Sequence, residues 1–213
     1  MVKFVEMNQQ LKKYVESSIL PRYDSFDKAH RRDHADAVIA RSLELAANYG
    51  LDEDMVYTVA AYHDAGLAEG RATHHLASGR IIREDAKLRE WFSPEQIETM
   101  AQAAEDHRAS ADHEPRSIYG RIVAEADRLI DPEIILRRTV QYGLSNYPEL
   151  TREGHIRRSL DHLDEKYAEG GYLKLWIPES PNAAKLRELQ EMIKDRALIR
   201  SIVERIYEEE TAR

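Results

Sequence analysis

Three features of the 213-residue sequence predict an all-α fold: apolar residues recur at three-to-four spacing, Gly (9) and Pro (7) are sparse, and helix start and stop signals fall between the periodic segments. No sustained alternating strand pattern and no internal repeat interrupts that pattern. A first helix over about residues 2–19 stops before Pro21, and a second over about 32–49 stops at Gly50. Asp52 caps a third, about 53–64, which ends near Gly66, and residues 73–90 are helical by phase. Ser93-Pro94-Glu95-Gln96 combines an N-cap, a Pro at the first helical position and a Gln that closes a capping box, opening a helix to about 109.

After a loop around Asp112–Pro115, an apolar helix covers about 116–130, and Pro132 opens the next, to about 143. Thr151 caps a helix that ends at Gly170-Gly171. Tyr172–Ile177 is the one short apolar run able to be extended. Ser180-Pro181 restarts a helix that, with a break near Asp195, reaches the C-terminus. No Ser/Gly-rich linker marks a boundary, so the expectation is one core over residues 1–145 with a helical extension over 146–213 packed on it.

With 42% hydrophobic and 33% charged residues, the chain can bury a core under a well-solvated surface, which excludes disorder and a fibrous repeat. No stretch approaches the roughly 20 apolar residues of a membrane helix, and Glu6 and the amides that follow it sit where a signal peptide is apolar. A cytoplasmic protein without a membrane partner is expected. The net charge of −8 argues against a nucleic acid polymer as partner, because phosphate neutralisation needs a basic stripe. Cys is absent, so a transition-metal site must use His and carboxylates.

Seven of the nine His lie in the first 113 residues, and their helical phase is informative. Val56, Val59 and Ala60 form an apolar stripe that ends on His63, with Asp64 beside it. Gly120, Val123, Ala124 and Ile130 share a face that Asp127 interrupts; Met100, Ala103 and Ala104 lead to His107; His34 begins a face continued by Val38 and Leu45. One His ending an apolar face can be an ordinary hydrogen-bonded core residue, and Asp127 alone could pair with an Arg. A buried carboxylate needs a cation, however, and four inward polar groups on separate helices point to a metal. Imidazole plus carboxylate suits Mn, Fe, Co, Ni or Zn better than Ca, with Mg a further option.

These residues resemble the HD-domain phosphohydrolases, whose pattern is an isolated His, a His-Asp doublet and a later Asp on a helix. Here they are His34, His63-Asp64 in AAYHDAGL, and Asp127 in IVAEADRLID, with 29 residues from His34 to His63 and 63 from Asp64 to Asp127. The resemblance covers about residues 30–131 and implies a helical bundle holding one or two divalent ions on those four residues. In some branches, among them the cyclic-dinucleotide phosphodiesterases and the symmetrical dinucleoside tetraphosphate hydrolases, two further His hold a second ion. The first tends to precede a Gly by four residues, which fits His75 with Gly79; His107 fits the second. Asp64 then bridges the ions and orients a hydroxide, with His34, His63 and Asp127 on one ion and His75 and His107 on the other. His74 could exchange roles with His75, Asp106 could replace or support His107, and a one-ion site with substrate-facing His stays open. Asp64 is followed by Ala65-Gly66-Leu67, without the Lys and the later Gly-Tyr-Pro typical of the cyclic-dinucleotide branch, which argues against that substrate.

The chemistry so implied is hydrolysis of a phosphomonoester, phosphodiester or phosphoanhydride by a water whose pKa a metal lowers from about 15.7 toward 7. The expected partner is a small phosphorylated substrate, most plausibly a nucleotide. Arg71 and Arg108 are phosphate-binding candidates or else ordinary surface residues, and Glu69 and Glu105 are proton-transfer candidates or solvated charges. Arg31 and Arg32 solvate a helix start, while His30, His113, His155 and His162 have no convergent partners. Tyr142, Tyr147, Tyr167, Tyr172 and Trp176 could stack on a base or simply pack, and the amphipathic final helices fit a homodimer contact or packing on their own chain. One alternative is a metal-stabilised ligand-binding or regulatory protein without turnover. Another is oxygen activation at a di-iron site.

Overall fold

The computed structural model describes residues 7–26 and 31–212, and among these it contains ten α-helices, three short 3-10 turns and no strand. The chain divides into two compact units, Met1–Arg128 and Leu129–Arg213. The first comprises α1 (Gln9–Ser18), α2 (Arg32–Ala46), α3 (Glu53–Tyr62), α4 (His74–Glu84), α5 (Pro94–Glu105) and α6 (Ile118–Asp127). The second comprises α7 (Pro132–Asn146), α8 (Arg152–Tyr167), α9 (Asn182–Lys194) and α10 (Arg196–Thr211). The early residues of the expected first helix, and His30, lie outside the described residues.

Local side-chain chemistry sets most of these ends. Asp52 accepts from the backbone N–H of Asp54 and Met55 at 3.0 and 3.3 Å, and Ser93 and Gln96 close their capping box reciprocally. Ser117, Asp131, Thr151 and Asp195 cap α6, α7, α8 and α10 in the same way, and the Asp195 cap accounts for the break before α10. Tyr172–Ile177 forms neither strand nor helix. The expected helix over 73–90 ends at Glu84, because Asp85 turns extended and its carboxylate caps a 3-10 turn over Ala86–Glu90.

In the first unit α3 is the central helix, with every residue from Met55 to Tyr62 buried. A helix apolar on all sides must be covered all round; α2, α5 and α6 pack against it, with α4 packed on α5. Ala101, Ala103 and Ala104 on α5 have no accessible surface and let the helices approach closely. Gly66 fixes the approach of α4 to the turn after α3. A Cβ there would stand 2.4 Å from the His74 carbonyl oxygen, and the Gly66 N–H donates to Ser78 Oγ at 3.0 Å. The start of α4 is thereby held against the residues that follow α3.

In the second unit α7, α8 and α10 pack on one another, with α9 against α8 and α10. The core is Ile135, Leu136, Val140, Ile156, Leu163, Leu189, Ile193, Ile199, Val203 and Ile206. The unit boundary thus falls at 128/129 rather than at the expected 145. Helix α7 belongs with α8 and α10, to which its buried Ile135, Leu136, Thr139, Val140 and Gly143 commit it, and only four residues join it to α6.

Candidate metal centre

Five segments of the first unit bring polar side chains to one point. His34 comes from the first turn of α2 and His74 from the first residue of α4; His63 and Asp64 follow the last residue of α3; His107 lies just past α5, and Asp127 ends α6. Termination of α3 at Tyr62, one residue before the doublet rather than after it, matters here. Adjacent residues on a continuous helix diverge by about 100°. His63 and Asp64, in the turn, both face the same centre.

The atoms fall into two sets. His34 Nε2 and His63 Nε2 are 3.1 Å apart, with Asp127 Oδ1 at 3.3 Å from the first and 3.8 Å from the second. His74 Nε2 and His107 Nε2 are 3.2 Å apart. Asp64 divides its carboxylate between them: Oδ2 lies 3.6 and 3.4 Å from His34 and His63, and Oδ1 lies 3.2 and 3.4 Å from His74 and His107. Ligands held at about 2.0–2.2 Å around one ion stand roughly 2.8–3.6 Å from each other. The set Asp64/His74/His107 has that spacing throughout, and the set His34/His63/Asp127 has it except for the 3.8 Å between His63 and Asp127, with ligand atoms all within 4.8 Å in each.

Residues 31–130 match the family model described as HD domain. Over those 100 of its 213 residues the chain is similar to an HD domain. No curated protein and no solved structure matches the chain significantly.

Ring orientation at this centre is set by backbone carbonyls. His63 Nδ1 is 2.7 Å from the Ala60 carbonyl oxygen, His74 Nδ1 is 2.8 Å from that of Arg71, and His107 Nδ1 is 2.6 Å from that of Ala104. A carbonyl only accepts, so Nδ1 carries a proton in all three rings, a state assigned from the partners. For His63 and His107 the acceptor lies in the last turn of a helix, where carbonyls lack a helical donor. In their neutral form His74 and His107 therefore turn two Nε2 lone pairs toward one another across 3.2 Å, an arrangement that calls for a cation. Carbonyl support of this kind is what a ligating imidazole needs.

The electrostatics agree. Burial disfavours the charged form of His34, but Asp127 and Asp64 outweigh it and push the imidazole up to about 9. His63 is raised too, against its burial, by Asp64 and Asp127. Despite desolvation, the surrounding imidazoles hold the carboxyls of Asp64 and Asp127 well below the usual range.

His34, His63, Asp64, Asp127 and His107 converge as expected, but His75 does not. His74 takes its place, because α4 begins at His74 and the Arg71 carbonyl one turn earlier orients that ring. The side chain of His75 lines a neighbouring cavity of about 660 Å³ with Glu105, Arg108, Asp112, His113 and Arg116. Burial, with His107, His74 and Arg108 nearby, lowers its imidazole to about 4.

Asp106 faces away from the centre: it is buried and accepts from the Arg116 backbone N–H at 2.7 Å and from its guanidinium at 2.7–3.1 Å. Glu105 is paired with Arg83 and Arg116, and Glu69 with Arg80, so neither stands free for proton transfer. Arg71 touches the cluster through its carbonyl, its side chain being exposed. Arg108 lines the cavity and donates to the Ala72 carbonyl at 2.7 Å. In the second unit the Arg158 guanidinium lies 5.1 and 5.2 Å from the ring centroids of Tyr142 and Tyr147, and Tyr167 is buried. No helix among the described residues is long and apolar enough to cross a membrane.

Proposed function

We propose that the HD domain is a divalent-metal-dependent phosphohydrolase that binds two ions and uses water to cleave a phosphoester or phosphoanhydride of a nucleotide or similar small phosphorylated metabolite. The observation that carries this reading is the division of the Asp64 carboxylate, one oxygen toward His34 and His63 and the other toward His74 and His107. Single ions held for structural purposes do not need a shared carboxylate between two imidazole pairs. His34, His63, Asp127 and Asp64 Oδ2 would hold one ion, and His74, His107 and Asp64 Oδ1 the other. Mn, Fe, Co, Ni, Zn and Mg are all compatible with nitrogen and oxygen donors without sulfur.

Divalent ions in such a site acidify water and polarise phosphoryl oxygens. The protein's own contribution is placement. Carbonyl partners fix three of the imidazoles, and Asp64 ties both sets to the end of α3, which is buried from Met55 to Tyr62. The cavity beside the second set, of a volume ordinary for a small-molecule ligand, is walled by His75 and Arg108, each adjacent in sequence to a member of that set. Arg108 supplies a fixed positive charge there for a phosphate group.

The test is metal-stimulated phosphate release from a broad panel of nucleotides and sugar phosphates. Wild type is expected to turn over at least one member, and Asp64→Ala to abolish that turnover. Absence of release with every metal, together with an Asp64→Ala protein that has lost only thermal stability, would establish the regulatory, non-catalytic alternative.

A further inference from the structure

Tyr23 has no accessible surface, lies in the 3-10 turn after α1, and sends its hydroxyl into the end of α3. That hydroxyl donates to the Ala61 carbonyl at 3.0 Å and accepts from the Asp64 backbone N–H at 3.2 Å. In a continuing α-helix the Asp64 N–H would bond to the Ala60 carbonyl, and in a tightened last turn to that of Ala61. The phenol displaces both arrangements, the kind of side-chain insertion that bends or ends a helix. It also leaves the Ala60 carbonyl to another donor, His63 Nδ1 at 2.7 Å. Phe26 holds the Tyr23 ring edge-on at 5.3 Å between centroids.

We infer that Tyr23 is the positioning residue of the His-Asp doublet: its hydroxyl breaks the α3 ladder so that Asp64 turns into the centre while His63 keeps Nδ1–H on Ala60 and Nε2 toward the ion. This rests on the metal-centre reading of the doublet, and Tyr23 touches none of the ligand atoms itself. A fixed hydroxyl serves here better than a water, because the aromatic body excludes solvent from the helix end and leaves the Asp64 N–H one partner.

The test compares the full chain as wild type, Tyr23→Phe and Tyr62→Phe. Tyr62 adjoins the doublet, but its hydroxyl is bound to Asp85 at 2.6 Å, so Tyr62→Phe controls for loss of a buried phenol that does not touch the turn. Two quantities are read: Zn affinity by equilibrium titration, and the His63 Nδ1–H proton in the nitrogen–proton NMR spectrum of the metal-free protein. Tyr23→Phe should weaken Zn binding roughly 10–100-fold, the usual scale for a residue behind the ligands, and lose the protected Nδ1–H signal as the Asp64 N–H takes over the Ala60 carbonyl. Tyr62→Phe should lower melting temperature while leaving both readings as in wild type.

Equal Zn affinity and an unchanged Nδ1–H signal in Tyr23→Phe overturn the inference. Should wild type bind no metal, the metal-centre reading fails, and the NMR signal alone still decides whether Tyr23 sets the His63 ring. If Tyr23→Phe does not fold, the wild-type spectrum decides: a slowly exchanging Tyr23 hydroxyl proton with a nuclear Overhauser contact to the Asp64 backbone N–H supports the inference, and a hydroxyl exchanging at the solvent rate overturns it.

Discussion

Exposed ion pairs occur in both units, but among the described residues only the first also gathers groups of metal-ligating side chains. In the second, Arg137 reaches Glu209 and Glu210, Arg196 reaches Asp164, and Arg200 reaches Glu153, most of these on exposed side chains that water also solvates. In the first, Asp64, His63, His74 and His107 are buried together around the one carboxylate. Balanced surface pairs add little to stability, whereas a buried, unbalanced cluster costs stability and persists where something binds it. The difference separates a scaffold from a site, and it can be read before any ligand is known.

The largest effect expected from breaking the first arrangement comes from exchanging neighbours on α4. His74→Ala should reduce divalent-metal affinity by more than the roughly 10–100-fold typical of a residue behind the ligands. His75→Ala should leave metal binding intact and alter only the affinity for substrate. Parallel metal titrations of the two variants check this, and equal losses would contradict the placement of His74.

An intermediate effect concerns pH in metal-stripped protein. His34 is held at about 9 in the folded state against an ordinary 6.5. Its contribution, on the order of 3 kcal/mol, is fully present below about 6.5 and lost as pH rises toward 9. The lowered carboxyls act at the other end: their contribution is present above the ordinary value of 3.8 and lost as pH falls. Metal affinity should move the other way from His34, rising with pH as protons leave the imidazoles. Denaturant melts and metal titrations across pH 5–9.5 measure both, and stability that climbs across that range in stripped protein would count against the cluster.

The smallest effect belongs to the second unit. Arg196→Ala removes an exposed pair with Asp164 and should cost well under about 1 kcal/mol, with metal content unchanged. A melt and a metal count on the same sample check it.

Much of this was legible in the sequence because it is local. Caps at Asp52, Ser93 and Thr151 follow from residues three or fewer apart, and the inward phase of His34, Asp127 and His107 follows from apolar residues on the same helices. The convergence of His74 rather than His75 has a local cause as well. Two adjacent His stand at the start of α4, and the choice between them depends on where the first turn begins, which only the Arg71 carbonyl and the tight seat at Gly66 decide. A helix run through to residue 64 hid the reason that both members of the doublet reach the centre. That reason is Tyr23, 41 residues before Asp64, and no periodicity connects them. The unit boundary was hidden because α6 and α7 follow one another without a change of composition; what separates them is which helices bury the face of α7.

The central claim is that Asp64 joins two metal positions, and counting ions tests it most directly. Wild type reconstituted with Mn or Zn and freed of excess should carry two ions per chain, and folded Asp64→Ala should carry fewer, with the remaining affinity reduced for both positions. A wild type that retains no ion, or an Asp64→Ala protein that retains two at unchanged affinity, would contradict the account.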